Sequence, residues 1–287
     1  MNNQMVFLNG AVIPMDQAKV SVLDRGFLFG DGVYEVIPVY GSRPFRLTEH
    51  LDRLQLSLDG VRIRSPYSNV QWEEIFHQLI RHHADDAHDL SIYLQITRGV
   101  HPKRDHAFPV PAVPTTVFVM CNPVYPVSVE TLEKGVAALT LPDVRWKNCH
   151  LKTINLLANI LLRQEAVDDG AYEAILVRDG CVTEGAASNL FIVKENCLIT
   201  PPKSNNLLPG ITRDLVLELA IAEGVSVAER DIAEAELDAA NEIWLTSSTK
   251  EILPVTQLNH KPVANGKPGD LWRKMDRAYK SYKASLV

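Results

Sequence analysis

Short apolar runs, each closed by a turn dipeptide and answered by another run, recur along most of this chain. MVFLNGAVIP turns at Asn9-Gly10 and VYEVIPVYGSRPFRL (33–47) at Gly41-Ser42. AYEAILVRDGCVTEG turns at Asp179-Gly180 and NLFIVKENCLITPP near Glu195-Asn196. Asn, Asp and Gly enter the positive-φ region at little cost, so such dipeptides between apolar runs read as β-hairpins. A chain built on hairpins folds into largely antiparallel sheets. The strand–helix–strand alternation of a doubly wound fold is lacking.

Helices fill the intervals. Leu47-Thr48-Glu49 opens one in which Leu51, Leu54 and Leu58 recur at helical spacing, with Thr48 the expected N-cap. A second runs near 70–83, with Val70, Ile75, Phe76, Leu79 and Ile80 on one face. A third covers about 153–167 (TINLLANILLRQEAV), and a fourth opens at Gly210-Ile211-Thr212-Arg213-Asp214 and runs to about 223. PGDLWRKMDRAYKSYKAS closes the chain as an amphipathic helix. LSIYLQITRG, TTVFVMCNP, a run near 136–142 and EIWLTSST read as further strands, and the glycine-rich RGFLFGDG as a strand with close backbone packing. The 287 residues make one large domain or two ordinary ones. NPVYPVSVETLEK (122–134) reads as a connection between a domain over 1–121 and one over 135–287.

Composition narrows the function. With 29 basic and 35 acidic residues the net charge is −6, so the basic footprint of a nucleic-acid binder is missing. The longest charge-free stretch, from Phe108 up to Glu130, holds five prolines, which no membrane-spanning helix absorbs. MNNQMVFLNG lacks a basic region ahead of an apolar one, and the four cysteines (121, 149, 181, 197) are scattered, so a reduced, cytoplasmic protein is expected. His82, His83 and His88 lie among Asp85, Asp86 and Asp89; a solvated helix end accounts for them better than a metal site. The phosphate-loop, zinc-protease and nucleophile-elbow patterns are all missing.

What remains is a scattered set of groups. Lys152 stands where NCHLKTINLLANILL turns apolar. Surface lysines are commonplace, but one in apolar surroundings can act as a neutral amine and form a Schiff base. Glu184, in VTEGAASNLF, is flanked by the small residues Gly185, Ala186 and Ala187, as if something packs against that backbone. LLPGITRD offers backbone amides at a helix start, and TSSTKEI adds hydroxyls after a strand. An amine, a carboxylate and a phosphate seat are what pyridoxal 5'-phosphate (PLP) requires.

The chain closely resembles the fold-type IV PLP enzymes, and within them the D-amino acid aminotransferases. The resemblance rests on DRGFLFGDGVYEV (24–36), EHLDRL (49–54), RWKNCHLKTINLL (145–157), YEAILVRDGCVTEGAASNLF (172–191), LLPGITRD (207–214) and LTSSTKEILPV (245–255), and covers nearly the whole chain. It implies an α+β or α/β fold: a smaller N-terminal α/β domain, a larger C-terminal domain with a barrel-like antiparallel sheet and helices, PLP between them, and a homodimer. Lys152 would bind the cofactor aldehyde and shuttle the proton between substrate Cα and cofactor C4′. Glu184 would face the pyridine nitrogen. Arg53, Ile211, Thr212, Ser247 and Ser248 would hold the phosphate, with Arg145 in support. Arg104 and His106, in RGVHPKRDHAFP, match the family's Arg-x-His carboxylate trap, which Tyr34 completes and which reaches into the neighbouring subunit.

The activity so implied is transamination between a D-amino acid, D-alanine or D-glutamate first, and a 2-oxo acid. A branched-chain L-amino acid aminotransferase is the nearest alternative, an amine transaminase and a 4-amino-4-deoxychorismate lyase are further ones, and a phosphate-ligand binder without chemistry is opposed by Lys152 and Glu184. Ala186 and Ala187 stand where many relatives carry serine, and Ser248 where threonine is common.

Overall fold

A computed structural model of the chain describes residues 4–83 and 88–286, which form two compact units. The first comprises residues up to Tyr125 together with Leu151–Asn155; the second comprises Pro126–His150 and Leu156 onward.

In the first unit, Asn9 and Gly10 both take positive φ (50° and 98°), and the turn they make joins β1 (Met5–Leu8) to β2 (Ala11–Pro14). The glycine-rich segment is not a strand. It makes the one-turn helix α1 (Arg25–Phe29), because the Asp24 side chain accepts the Gly26 N–H at its start and Gly30, at φ 67°, ends it. There follow β3 (Gly32–Tyr40), β4 (Arg43–Pro44), α2 (Leu47–Gly60), α3 (Asn69–Arg81), β5 (Asp89–Thr97) and β6 (Thr116–Val124). The sheet order is β2-β1-β6-β5-β3-β4, antiparallel throughout. Leu51, Leu54 and Leu58 of α2 and Trp72, Phe76 and Leu79 of α3 share one core with Ile37, Ile92 and Leu94 of the sheet.

Two helix details differ from expectation. The N-cap of α2 is Arg46, at φ 50°, not Thr48; the Phe45 N–H still bonds back to Pro38, so the chain turns into the helix immediately afterwards. Val70 is 66% exposed and off the apolar face, since the Ser68/Gln71 capping box places it in the solvent-facing first turn of α3. Of the acidic–histidine cluster, His82 is the C-cap of α3, while Asp85 and Asp86 lie outside the described residues, as do Met1–Asn3 at the start. No described helix is long and apolar enough to cross a membrane.

The second unit holds α4 (Val129–Lys134), β7 (Val136–Pro142), α5 (Leu157–Asp168), β8 (Glu173–Arg178), β9 (Cys181–Gly185), β10 (Asn189–Lys194) and β11 (Cys197–Thr200). It continues with α6 (Ile211–Ala222), β12 (Ser226–Glu229), α7 (Glu234–Asp238), β13 (Glu242–Ser247), β14 (Glu251–Leu258), β15 (Lys261–Pro262) and α8 (Asp270–Ala284). Its sheet runs β12-β11-β10-β13-β14-β7-β8-β9, with β15 beside β14. The hairpins are antiparallel, but β7 pairs in parallel with both β8 and β14, and β11 with β12. Helical crossovers make two of these pairs, α5 between β7 and β8 and α6 between β11 and β12, and β14 returns to β7 from far along the chain, so turn dipeptides do not announce them. Much of 122–134 is regular, because β6 reaches Val124 and Ser128 caps α4.

The helix expected from 153 begins only at Leu157. The residues ahead of it behave as a strand of the first unit. Tyr34 N–H bonds to Lys152 O (2.9 Å), Ile154 N–H to Gly32 O (3.1 Å), and Val33 bridges Thr153. Their backbone groups are thus taken by β3, whose edge β4 covers only at Val39 and Tyr40.

Candidate active site

Lys152 lies on that added segment. Its backbone N–H donates to Oγ of the fully buried Ser57 on α2 (3.0 Å), and its Nζ stands 4.2 Å from the centre of the Tyr34 ring. The negative face of an aromatic ring attracts an ammonium. Gly32 lets both β5 and the added segment pack closely, because a Cβ there would come within 2.6 Å of Ile96 O and 3.1 Å of Ile154 Cδ1. Tyr34 stacks on Tyr93 (5.9 Å), whose hydroxyl, pushed up to about 12 by burial and by Tyr34, stays protonated and donates to Gln95.

On the other face of β3, one residue along, Glu35 is fully buried. Its carboxylate accepts two hydrogen bonds from Arg53 (2.8 Å each), and one oxygen lies 2.9 Å from His50 Nδ1. Burial opposes the charged form, but Arg53 and His50 outweigh it and hold the Glu35 carboxyl well below its usual range. Burial, with the charges of Arg53 and Lys152, keeps His50 below its ordinary value. Arg53, which sequence alone leaves open to being a solvated helix arginine, is 6% exposed. Glu35 and His50 were not anticipated. The available signal was an acid at a core position between Val33 and Ile37, matched by a histidine and an arginine three apart on α2.

Arg104 and His106 are exposed, and both lie against Phe29 of α1, the guanidinium carbon 5.1 Å and the imidazole 5.2 Å from its ring centre. Among the described residues, neither side chain makes a hydrogen bond or an ion pair, and no hydrogen bond joins either to Tyr34.

In the second unit Glu184 is 4% exposed, on β9. One carboxyl oxygen accepts from Arg145 Nη1 (2.5 Å), the other from Leu208 N–H (3.0 Å) and Asn189 Nδ2 (3.1 Å). Burial pushes the Glu184 carboxyl up to about 7, against the pull of Arg145 and the Leu208 amide. Arg145 is itself gripped by Asp143 through two bonds of 2.9 Å, and Asp143 also receives Thr183 Oγ1 (2.9 Å) and Arg178 (3.0 Å). Burial works against the Arg145 cation, but Asp143 and Glu184 raise its pKa above the ordinary guanidinium value. The sequence marked Glu184 through its small neighbours; Asp143 and Asn189 carried no comparable signal.

Helix α6 starts at Gly210 with no side-chain cap, leaving its first amides without an internal acceptor, and Ile211 and Thr212 are buried there. A Cβ on Gly210 would collide with Asn189, so this glycine lets the helix start close over the Glu184 partner. Across the ladder from Asn189 is Thr246, whose buried hydroxyl has no hydrogen-bond partner. Ser247 and Ser248 follow, half-buried. Ala187 and Ser247 line one cleft of about 140 Å³ with Ser188, Thr249 and Lys250, whereas Ala186 is buried in the core. In the second unit, a buried carboxyl poised near neutrality, uncapped helix amides and an orphaned hydroxyl suit the ring nitrogen and phosphate of PLP; in the first, the Lys152 amine suits its aldehyde.

The sequence model of the family "Amino-transferase class IV" matches residues 32–258. A D-alanine aminotransferase of Bacillus licheniformis is 36% identical over 95% of each chain. One from Staphylococcus haemolyticus is 35% identical over 96% of this chain and 97% of its own. Among solved structures, the branched-chain amino acid aminotransferase of Escherichia coli superposes with a TM-score of 0.89 at 28% identity, covering 98% of this chain and 94% of that one. A branched-chain amino acid aminotransferase from T.th., solved with pyridoxamine 5'-phosphate, gives 0.89 at 27% identity, covering 100% and 96%.

Proposed function

The chain belongs to the class IV aminotransferases, and from that premise we propose that it exchanges the amino group of a D-amino acid with a 2-oxo acid, using PLP. D-alanine and D-glutamate are the first donors to try, and pyruvate and 2-oxoglutarate the first acceptors. The observation that carries the stereochemical reading is the pair of unpaired cationic and imidazole groups on one loop, Arg104 and His106, which suit the parallel acceptors of an α-carboxylate. The curated relatives, named for D-alanine over almost their full length, support it.

PLP, when bound, supplies an aldehyde that captures amines and a ring that draws electrons from the reacting carbon. Lys152 would hold the aldehyde, and its free amine would carry the proton of the substrate Cα. Its backbone bonds to Ser57 and Tyr34 fix where that amine can reach. Glu184 would keep a proton on the pyridine nitrogen, and Arg145 holds its carboxylate in place. Arg53, the amides of Ile211 and Thr212, and the hydroxyls of Ser247 and Ser248 bind the phosphate. Tyr34, Arg104 and His106 bind the substrate carboxylate. We further propose a homodimer, supported by a stripe on α5 where Leu157, Ile160 and Leu161 are 67%, 59% and 61% exposed.

The structural likeness to branched-chain enzymes favours a second reading, L-leucine as donor. Holoenzyme given D-alanine and 2-oxoglutarate should release pyruvate, while L-leucine should leave the bound cofactor's absorbance unchanged; Lys152→Ala should abolish turnover. Turnover of L-leucine with D-alanine silent would move the chain to the branched-chain reading.

A further inference from the structure

Between β5 and β6 the chain runs from residue 98 to 115 without a helix or strand, yet Arg104 and His106 stand at fixed places on Phe29. Loops of this length are ordinarily loose unless something holds them. Here the holder is a buried guanidinium. Arg25, 4% exposed, donates through Nη1 to the carbonyls of Asp105 (2.6 Å) and Ala107 (3.2 Å) and through Nη2 to that of His106 (3.2 Å). Its Nε donates to Asp31 (2.8 Å). Its guanidinium carbon also lies 4.9 Å from the Phe29 ring centre, so the ring that carries Arg104 and His106 also abuts Arg25.

Asp31 braces the grip. It accepts Nε and Nη2 of Arg98 as well (2.8 and 2.9 Å), and Arg98 is tied onward to the carbonyls of Val61 and Arg62. One carboxylate therefore serves two guanidinium groups, and the three consecutive carbonyls offer Arg25 partial rather than full negative charge. Among the described residues the Arg104 side chain makes no hydrogen bond or ion pair, which leaves it available to an outside anion.

We infer that Arg25, braced by Asp31, is a positioning residue for substrate binding: it clamps the backbone of residues 105–107 and so sets where Arg104 and His106 meet the amino acid's carboxylate. This rests on the carboxylate-binding role proposed above for those two residues. Lysine cannot replace the clamp, because it carries the charge without the planar fork that serves Asp31 and three carbonyls together.

The test compares holoenzymes of wild type, Arg25→Lys, Phe29→Leu and Arg104→Ala, using D-alanine with 2-oxoglutarate. Arg25→Lys and Phe29→Leu should each raise KM for D-alanine by about tenfold, leaving kcat within about twofold and the PLP dissociation constant unchanged. Amide hydrogen exchange at residues 104–107 should quicken in Arg25→Lys. If Arg104→Ala raises KM but both other variants keep the wild-type value, the clamp is refuted while carboxylate binding by Arg104 stands. If Arg104→Ala leaves KM unchanged, carboxylate binding by Arg104 is refuted, and unchanged exchange in Arg25→Lys would then refute the clamp as well. Should Arg25→Lys fail to fold, Asp31→Asn, which weakens the brace on Arg25 Nε and leaves the Phe29 ring in place, decides by the same KM split.

Discussion

Glu184 is pulled two ways, toward the neutral acid by burial and toward the carboxylate by Arg145. With its carboxyl raised from 4.5 to about 7, the folded protein holds a proton between those values that the unfolded chain has already released. The native state thus binds more protons across that window, and the stability this group contributes falls as pH rises through it. Urea unfolding of the apoprotein at pH 5 and 7.5 should show wild type losing stability relative to Glu184→Gln over that interval; a constant difference would contradict the raised value. In the holoenzyme, Glu184→Gln should lower kcat by roughly ten- to a hundredfold, the scale of one lost hydrogen bond to a charged group. Lys152 and Glu184 could be singled out one residue at a time from their immediate neighbours, while the roles proposed for them come from the resemblance. Glu35 and Arg25 could not, because their importance lies in partners 18 and about 80 positions away.

Elements were read best where a single local rule decides them. Asn9-Gly10 and Asp179-Gly180 made their hairpins, because the turn chemistry lies within two residues. The start of α5 was misplaced, because residues 151–155 are claimed by the open edge of β3, and no local pattern records an edge from more than a hundred residues away. Ser57 joins the two readings: it lies on the well-predicted α2, yet its hydroxyl anchors the unpredicted strand. Ser57→Ala should leave the half-buried Lys152 amide without its protein partner and cost about 1 kcal/mol of stability. It should also lower kcat, because the lysine side chain then hangs from a looser backbone. Chemical denaturation and steady-state kinetics on one preparation check both effects.

At the scale of the whole molecule, the exposed stripe on α5 is the face on which the proposed homodimer would form. Ile160→Glu should convert the proposed dimer to monomer at micromolar concentration in sedimentation, with D-alanine turnover lost in parallel if the 98–109 loop serves the neighbouring subunit. A dimer that persists would place the interface elsewhere. The parallel pairs of the second sheet and the transfer of residues 151–155 to the first unit were beyond sequence reading, since both depend on which distant strands end up adjacent. The exchange of residues 151–155 between the units has a consequence for synthesis. The first unit lacks the strand that closes β3 until residue 155 has left the ribosome, by which time β7 of the second is already made. Domains are usually completed in order during translation; here the earlier one waits on the later, and the piece it waits for bears Lys152. Until then the edge of β3 at Gly32–Tyr34 stands open to any passing strand.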